Sequence, residues 1–201
     1  MNRFTPVSSF CSVFLSILLL SGCSEPKEVI MSPNYSDSDT PTELIPLTLG
    51  NTWTRLHRVY NDETLWKSEV NTLVVEDVIT VDEVEWFLTT DDEDSVYVRN
   101  TPEGLMELST ETSIFKMRFK YPVEPGIFWY GRDGRRYFTV NTNSTVEVRA
   151  GTFYGCIHYR SVGDQFDPIY DYWIKPGIGH VKTIWWDNGQ NVYELVAYNL
   201  E

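Results

Sequence analysis

An all-β fold is what this sequence predicts: a single antiparallel domain, built as a curved sheet or half-barrel or as a β-sandwich, with little helix. Three observations predict it. Apolar and basic residues alternate without a break over Phe115-Lys116-Met117-Arg118-Phe119-Lys120-Tyr121, the period of a strand with one face toward a core and a basic, wet stripe on the other. Arg132-Asp133-Gly134-Arg135 and Asp187-Asn188-Gly189-Gln190 carry the Asp-Gly and Asn-Gly pairs that tight hairpins prefer. No stretch sustains a helical period with caps, and no internal repeat of fixed length divides the chain.

The strands follow in order. The first is read at Thr52 to Tyr60, then Glu69 to Val81, Val84 to Thr90, Ser95 to Asn100 and Leu105 to Ser109. After the alternating segment come Ile127 to Gly131, Arg136 to Asn141, Thr145 to Arg149 and Phe153 to Ser161. Tyr170 to Ile174, Val181 to Trp186 and Val192 to Asn199 complete the set. Gly151 allows a tight turn between two of them, and Pro176-Gly177 with Gly179 bends the chain between Ile174 and Val181. Many short strands at this spacing make a sandwich, an open half-barrel or a closed barrel. A membrane barrel is disfavoured, because the alternation does not repeat over ~10-residue segments in every strand.

The N-terminus reads differently. Arg3 leads into an apolar run from Val7 to Leu20, and Leu20-Ser21-Gly22-Cys23 follows. The run is interrupted by serines and falls short of the roughly 20 apolar residues that a spanning helix needs, so residues 1–22 read as a removable signal peptide. The final quartet resembles the lipobox of bacterial lipoproteins. That resemblance implies a diacylglyceryl group on the Cys23 thiol, cleavage of the Gly22-Cys23 bond, and acylation of the new amino group. Each buried methylene contributes about 0.8 kcal/mol, so two or three chains hold a protein on a bilayer where one does not. In a Gram-negative cell the sorting rule implies that Ser24, which is not aspartate, directs the protein to the outer membrane, facing the periplasm. Residues 23–43 hold the lipidated cysteine and a tether rich in Ser, Pro, Asp, Thr and Glu, and residues 44–201 form the β-rich domain.

The chain of 201 residues has a formal net charge of −13, and loss of residues 1–22 removes Arg3 and no acid, giving −14. Such a balance disfavours nucleic acid as a partner and makes the lipid anchor, rather than an anionic lipid surface, the contact with the membrane. Of Cys11, Cys23 and Cys156, the first leaves with the signal and the second is lipidated. Cys156 is therefore alone, no internal disulfide can form in the mature chain, and stability has to come from a core.

Few residues offer chemistry. Cys156 and His158 lie two apart, so a strand would turn both to one face as two ligands for zinc or copper, and two ligands do not make a site. Nor does Cys156 lie at a helix N-terminus that would favour a thiolate nucleophile. Asp91-Asp92-Glu93-Asp94 could collect calcium, but it lacks the spaced loop with a distal glutamate and reads as a solvated hairpin tip. No catalytic residue, metal site or cofactor is expected. Aromatic residues are the least bland feature, with Trp129, Trp173, Trp185 and Trp186 as candidate contacts for a ligand or partner. Neighbours on a strand face opposite sides, so Trp185 and Trp186 cannot share one core.

Three segments carry a wider resemblance: Leu47-Thr48-Leu49-Gly50-Asn51-Thr52-Trp53, then Ala150-Gly151-Thr152-Phe153 with Cys156 three later, then Tyr172-Trp173-Ile174-Lys175-Pro176-Gly177-Ile178-Gly179-His180-Val181-Lys182. Together they resemble a widespread group of uncharacterised bacterial exported proteins and lipoproteins. That group's pattern has alanine and valine where this chain has Lys175 and Ile178. The resemblance implies a fold and a compartment, with a similarity at fold level to curved-sheet envelope proteins that hold lipid or lipoprotein in a concave face.

The expectation is a non-enzymatic cell-envelope lipoprotein that binds an apolar ligand or an envelope component through an aromatic-lined face. A scaffold with a filled core that docks an envelope protein is the alternative. An enzyme acting on envelope polymers would need paired carboxylates converging in a cleft.

Overall fold

The computed structural model describes residues 41–201 except 93, 110, 111, 113 and 132. The signal peptide, Cys23 and the tether up to residue 40 lie outside the described residues. Among the described residues there is no helix, and the chain forms β1 (Thr52–Asn61), β2 (Thr64–Val81), β3 (Val84–Thr90), β4 (Ser95–Thr101), β5 (Gly104–Ser109) and β6 (Ile114–Lys120). These are followed by β7 (Phe128–Tyr130), β8 (Arg136–Val148), β9 (Gly151–Val162), β10 (Tyr170–Lys175), β11 (Gly179–Trp186) and β12 (Gln190–Asn199).

All twelve belong to one antiparallel sheet in the order β6-β5-β4-β3-β2-β1-β12-β11-β10-β9-β8-β7. Sequence neighbours pair throughout, and the two halves of the meander join where β1 meets β12, with Trp53 opposite Tyr198 and Tyr60 opposite Gln190. The strands β6 and β7, consecutive in sequence, are the two edges, and the sheet curls into a nearly closed barrel. Side chains close the seam in place of a backbone ladder: the Trp129 Nε1 donates to the Arg118 carbonyl at 3.2 Å, and the Tyr159 hydroxyl donates to the Lys120 carbonyl at 2.6 Å. Exposed strand edges invite unwanted pairing, and here β6 is covered by its opposite edge.

The inner face is filled. Phe119 of β6 reaches across to the rings of Tyr137, Tyr159 and Tyr172, and it is buried with Ile174, Val181 and Leu195. Segment 41–51 packs against one end of this core. Leu44, Ile45 and Leu47 are buried, the Tyr121 hydroxyl donates to the Pro41 carbonyl, and the Gly177 amide donates to the Glu43 carbonyl. The Trp53 Nε1 donates to the Ile178 carbonyl at 2.6 Å, tying the first strand to the β10–β11 turn.

Three expectations change. Arg136 to Asn141 and Thr145 to Arg149 are one strand, β8, whose pairing with β9 is broken by register shifts rather than by a turn. β2 begins at Thr64, not Glu69, because a two-residue turn at Asp62-Glu63 takes both residues into the left-handed region at φ 44° and 68°. The basic face of β6 is not uniformly wet: Leu105 pairs with Phe119 and Met106 with Met117, so Arg118 lies on a bulge. It turns inward to the Tyr137 hydroxyl at 2.8 Å and the Glu107 carboxylate at 3.4 Å, while Phe115 is left exposed.

Candidate functional site

Alternation along the strands divides the aromatic residues between two faces. On the inner face, stacked rings cross the sheet from strand to strand: His57 on Tyr193 and Trp185, Trp185 on Tyr170, Tyr170 on Tyr172, Tyr172 on Tyr137, and Tyr137 on Trp129. Guanidinium groups lie over these rings, Arg55 over Tyr193, Arg135 over Tyr170, and Arg118 over Tyr137 and Tyr172. Each has acidic company: Arg55 pairs with Asp91, Arg118 with Glu107 and Asp133, and Arg135 with Asp167. Burial pulls the Arg118 pKa down, but Tyr172, Glu107, Tyr137 and Asp133 outweigh it, and the net shift is upward. Burial likewise raises the Tyr137 and Tyr159 hydroxyls, so both stay neutral.

His57 is held from both ring nitrogens, by Glu69 at Nδ1 (3.0 Å) and Asn191 at Nε2 (3.2 Å). The Glu69 carboxyl titrates below its ordinary value because Lys67 and His57 hydrogen-bond to it. His180 meets Phe119 and Tyr172 edge-on, and burial, helped by the charges of Arg55 and Arg118, pushes its pKa down to about 3. It is neutral at physiological pH.

The outer face of β9 and β10 carries a separate cluster. Trp173 stacks on His158 with ring centroids 4.4 Å apart, and Asp171 accepts from His158 at 2.6 Å and from both Nε and Nη2 of Arg160. Burial raises the Asp171 pKa, but the hydrogen bonds from His158 and Arg160 prevail and bring it below the ordinary value. Cys156 is fully buried, its thiol directed to the Phe153 carbonyl, and burial pushes it up to about 11. A thiol that remains protonated at neutral pH is the opposite of what a nucleophile or a zinc thiolate requires.

A cleft of about 730 Å³ opens at one end of the sheet, between the β1–β2 tip (Tyr60 to Glu63) and the β11–β12 tip (Trp186 with Asn188, Gly189 and Gln190). Its floor follows from register. Trp186 lies opposite Gln190, Gln190 opposite Tyr60, and Tyr60 opposite Leu65, so these four residues form one outward-facing rung across β11, β12, β1 and β2. The tips extend past the rung and supply Asp62, Glu63 and Asn188, all with positive φ. A Cβ on Gly189 would come within 2.5 Å of the Tyr60 carbonyl oxygen, so only glycine lets the tips approach this closely.

The four candidate tryptophans therefore occupy four settings. Trp129 is buried in the seam, Trp173 is stacked outside on His158, and Trp185 is stacked inside by His57, Tyr170 and Tyr193. Trp186 is 51% exposed in the cleft, and among the described residues no aromatic ring stacks on it. Sequence reasoning missed Tyr60, Asp62, Glu63 and Asn188 as its neighbours. The available signal was the pair Asp62-Glu63, repeated as Asp82-Glu83, between alternating runs, which marks a tight turn without glycine.

No protein-family model matches the chain, and no curated protein matches it. Two solved structures are similar to it. One is a Bacteroides fragilis protein assigned as exported, with a YmcC-like fold, 14% identical over 79% of this chain and 99% of that chain, at a TM-score of 0.48. The other is a Parabacteroides distasonis protein assigned as a lipoprotein, 13% identical over 80% of this chain and 100% of that chain, at a TM-score of 0.46.

Proposed function

We propose that this chain is a non-enzymatic, lipid-anchored protein of the cell envelope that binds an envelope component at the cleft between its β1–β2 and β11–β12 tips. The observation that carries the reading is the contrast between adjacent tryptophans. Trp185 is stacked inside the sheet, whereas the ring of Trp186 is offered to a cleft large enough for a small ligand or a segment of polymer. The anchor follows from Leu20-Ser21-Gly22-Cys23, with lipid on Cys23 and, in a Gram-negative cell, placement on the outer membrane facing the periplasm. The filled inner face argues against a lipid carried inside the barrel and for recognition on the outside.

Native mass spectrometry of the domain beginning after Cys23, expressed in the periplasm and compared with the same sample denatured, tests this. A bound mass that disappears on denaturation and is reduced in Trp186→Ala is expected. A bare monomer mass transfers support to the scaffold reading. That second reading has its own observation, the exposed T-shaped pair of Phe128 and Tyr130 on edge strand β7.

A further inference from the structure

We infer that the tip cleft is built for an uncharged oligosaccharide; this rests on the binding reading above and names its ligand class. A sugar ring presents an apolar face of axial C–H bonds and a perimeter of hydroxyls. Its recognition takes a flat aromatic surface together with amide or carboxylate groups directed at the ring's edge. The outermost rung supplies both in alternation. Trp186 on β11 and Tyr60 on β1 flank the Gln190 amide on β12, and the two aromatic side chains start from strands two spacings apart, about 10 Å. That separation suits two sugar units of one chain, each over one ring, with the amide between them.

The tips complete the polar perimeter. Asp62, Glu63 and Asn188 place carboxylate and amide groups beyond the aromatic rung. Two of these residues are poor choices for their backbone. A left-handed conformation costs an ordinary L-residue energy that glycine does not incur, yet the chain holds aspartate and glutamate at φ 44° and 68°. The β2–β3 turn holds the same pair, Asp82-Glu83, at φ 51° and 64° without lining the cleft, so what sets Asp62-Glu63 apart is its place beside Trp186 and Tyr60. The position of these carboxylates at the rim of a cleft that holds Trp186 and Tyr60, rather than their backbone, suits them to the hydroxyls of a sugar ring.

The same residues exclude other ligand classes. Acyl chains find too many amide and carboxylate groups in the lining. Anionic polymers meet Asp62 and Glu63 on a chain of net charge −13. The cleft also lies at the end of the sheet opposite the Pro41 and Glu43 contacts.

Calorimetric titration of the mature lipidated protein in detergent micelles, with N-acetylchitohexaose and cellohexaose as uncharged probes and oligogalacturonate as the anionic one, tests the inference. Saturable binding of at least one uncharged hexasaccharide is expected, weaker for its disaccharide and absent for oligogalacturonate. Trp186→Ala should weaken it at least tenfold, while Trp66→Ala, which removes a more exposed tryptophan outside the cleft lining, should leave it unchanged. No saturable binding of either uncharged probe, or equal binding by Trp186→Ala, overturns the inference. If the sugars fail but native mass spectrometry still shows a bound mass sensitive to Trp186, the ligand class is wrong and the binding reading stands; if that mass is absent too, both fall.

Discussion

The two ends of the curled sheet are made by different rules. At one end, segment 41–51, the β8–β9 and β10–β11 turns and the C-terminal residues interlock through backbone and buried side chains. Trp53 donates to Ile178, the Asn51 side chain donates to Pro46 and accepts from the Glu201 amide, and the Ala150 amide donates to Leu195. At the other end the β1–β2 and β11–β12 tips gather Tyr60, Asp62, Glu63 and Asn188 around a cleft and leave a tryptophan half exposed. The first end closes a core, and its residues are those of the three family-like segments. The second end displays side chains around a cleft instead, Trp186 among them.

The largest expected effect lies at the closed end. Trp53 is 1% exposed and its indole nitrogen is hydrogen-bonded, so Trp53→Ala should lower stability by about 3–5 kcal/mol, read from a urea unfolding midpoint. A loss below about 1 kcal/mol would show that segment 41–51 and the β10–β11 turn are not interlocked as described, and the contrast between the ends would collapse.

Next is an acid sensitivity inside the closed sheet. The folded pKa of His180, about 3, lies below its ordinary 6.5, so the unfolded chain takes up a proton that the folded chain refuses. Stability is complete above pH 6.5 and is lost as the pH falls toward 3, at about 1.4 kcal/mol per pH unit. Urea midpoints at pH 7.5, 6.5 and 5.5 should show this limb in the parent and a flatter one in His180→Gln. Parallel profiles would assign the acid sensitivity to another group.

How far the sequence reveals these ends depends on where the information resides. The strand at Val84–Thr90 coincides with its expectation, and most others differ by a residue or two, because alternation and turn residues are local signals. Closure is not local. Nothing in the pattern of β6 foretells that Arg118 occupies a bulge, or that Trp129 and Tyr159 donate across the seam to its carbonyls. For the site, alternation does separate Trp185 from Trp186. It does not say which of them faces the core, since that depends on the register of β11 with β12, nor that Tyr60 and Glu63 lie near Trp186 more than a hundred residues later in the chain.

At the open end the expected effects are small and one has the opposite sign. Glu63→Gly relieves a left-handed residue, worth about 1–2 kcal/mol, against glycine's extra entropy in the unfolded chain, about 0.5–1 kcal/mol. A net gain of about 0.5–1 kcal/mol in the same urea assay is expected. A loss would mean that the Glu63 side chain makes a stabilising contact at the tip, and it would count with the packing residues of the closed end.

The smallest effect separates the neighbours Trp185 and Trp186. Trp186→Ala removes a half-exposed ring on which, among the described residues, no other ring stacks, so stability should stay within about 0.5 kcal/mol of the parent. Trp185→Ala breaks three stacked contacts and should cost several times as much. Unfolding of both variants beside native mass spectrometry gives the decisive pattern: a stable Trp186 variant that loses the bound mass, and a weakened Trp185 variant that keeps it while folded. Similar destabilisation in both would make Trp186 part of the packing, and the open end would then be a second closed one. Because the two residues share a strand and differ only in face, unequal outcomes can come only from what each face meets.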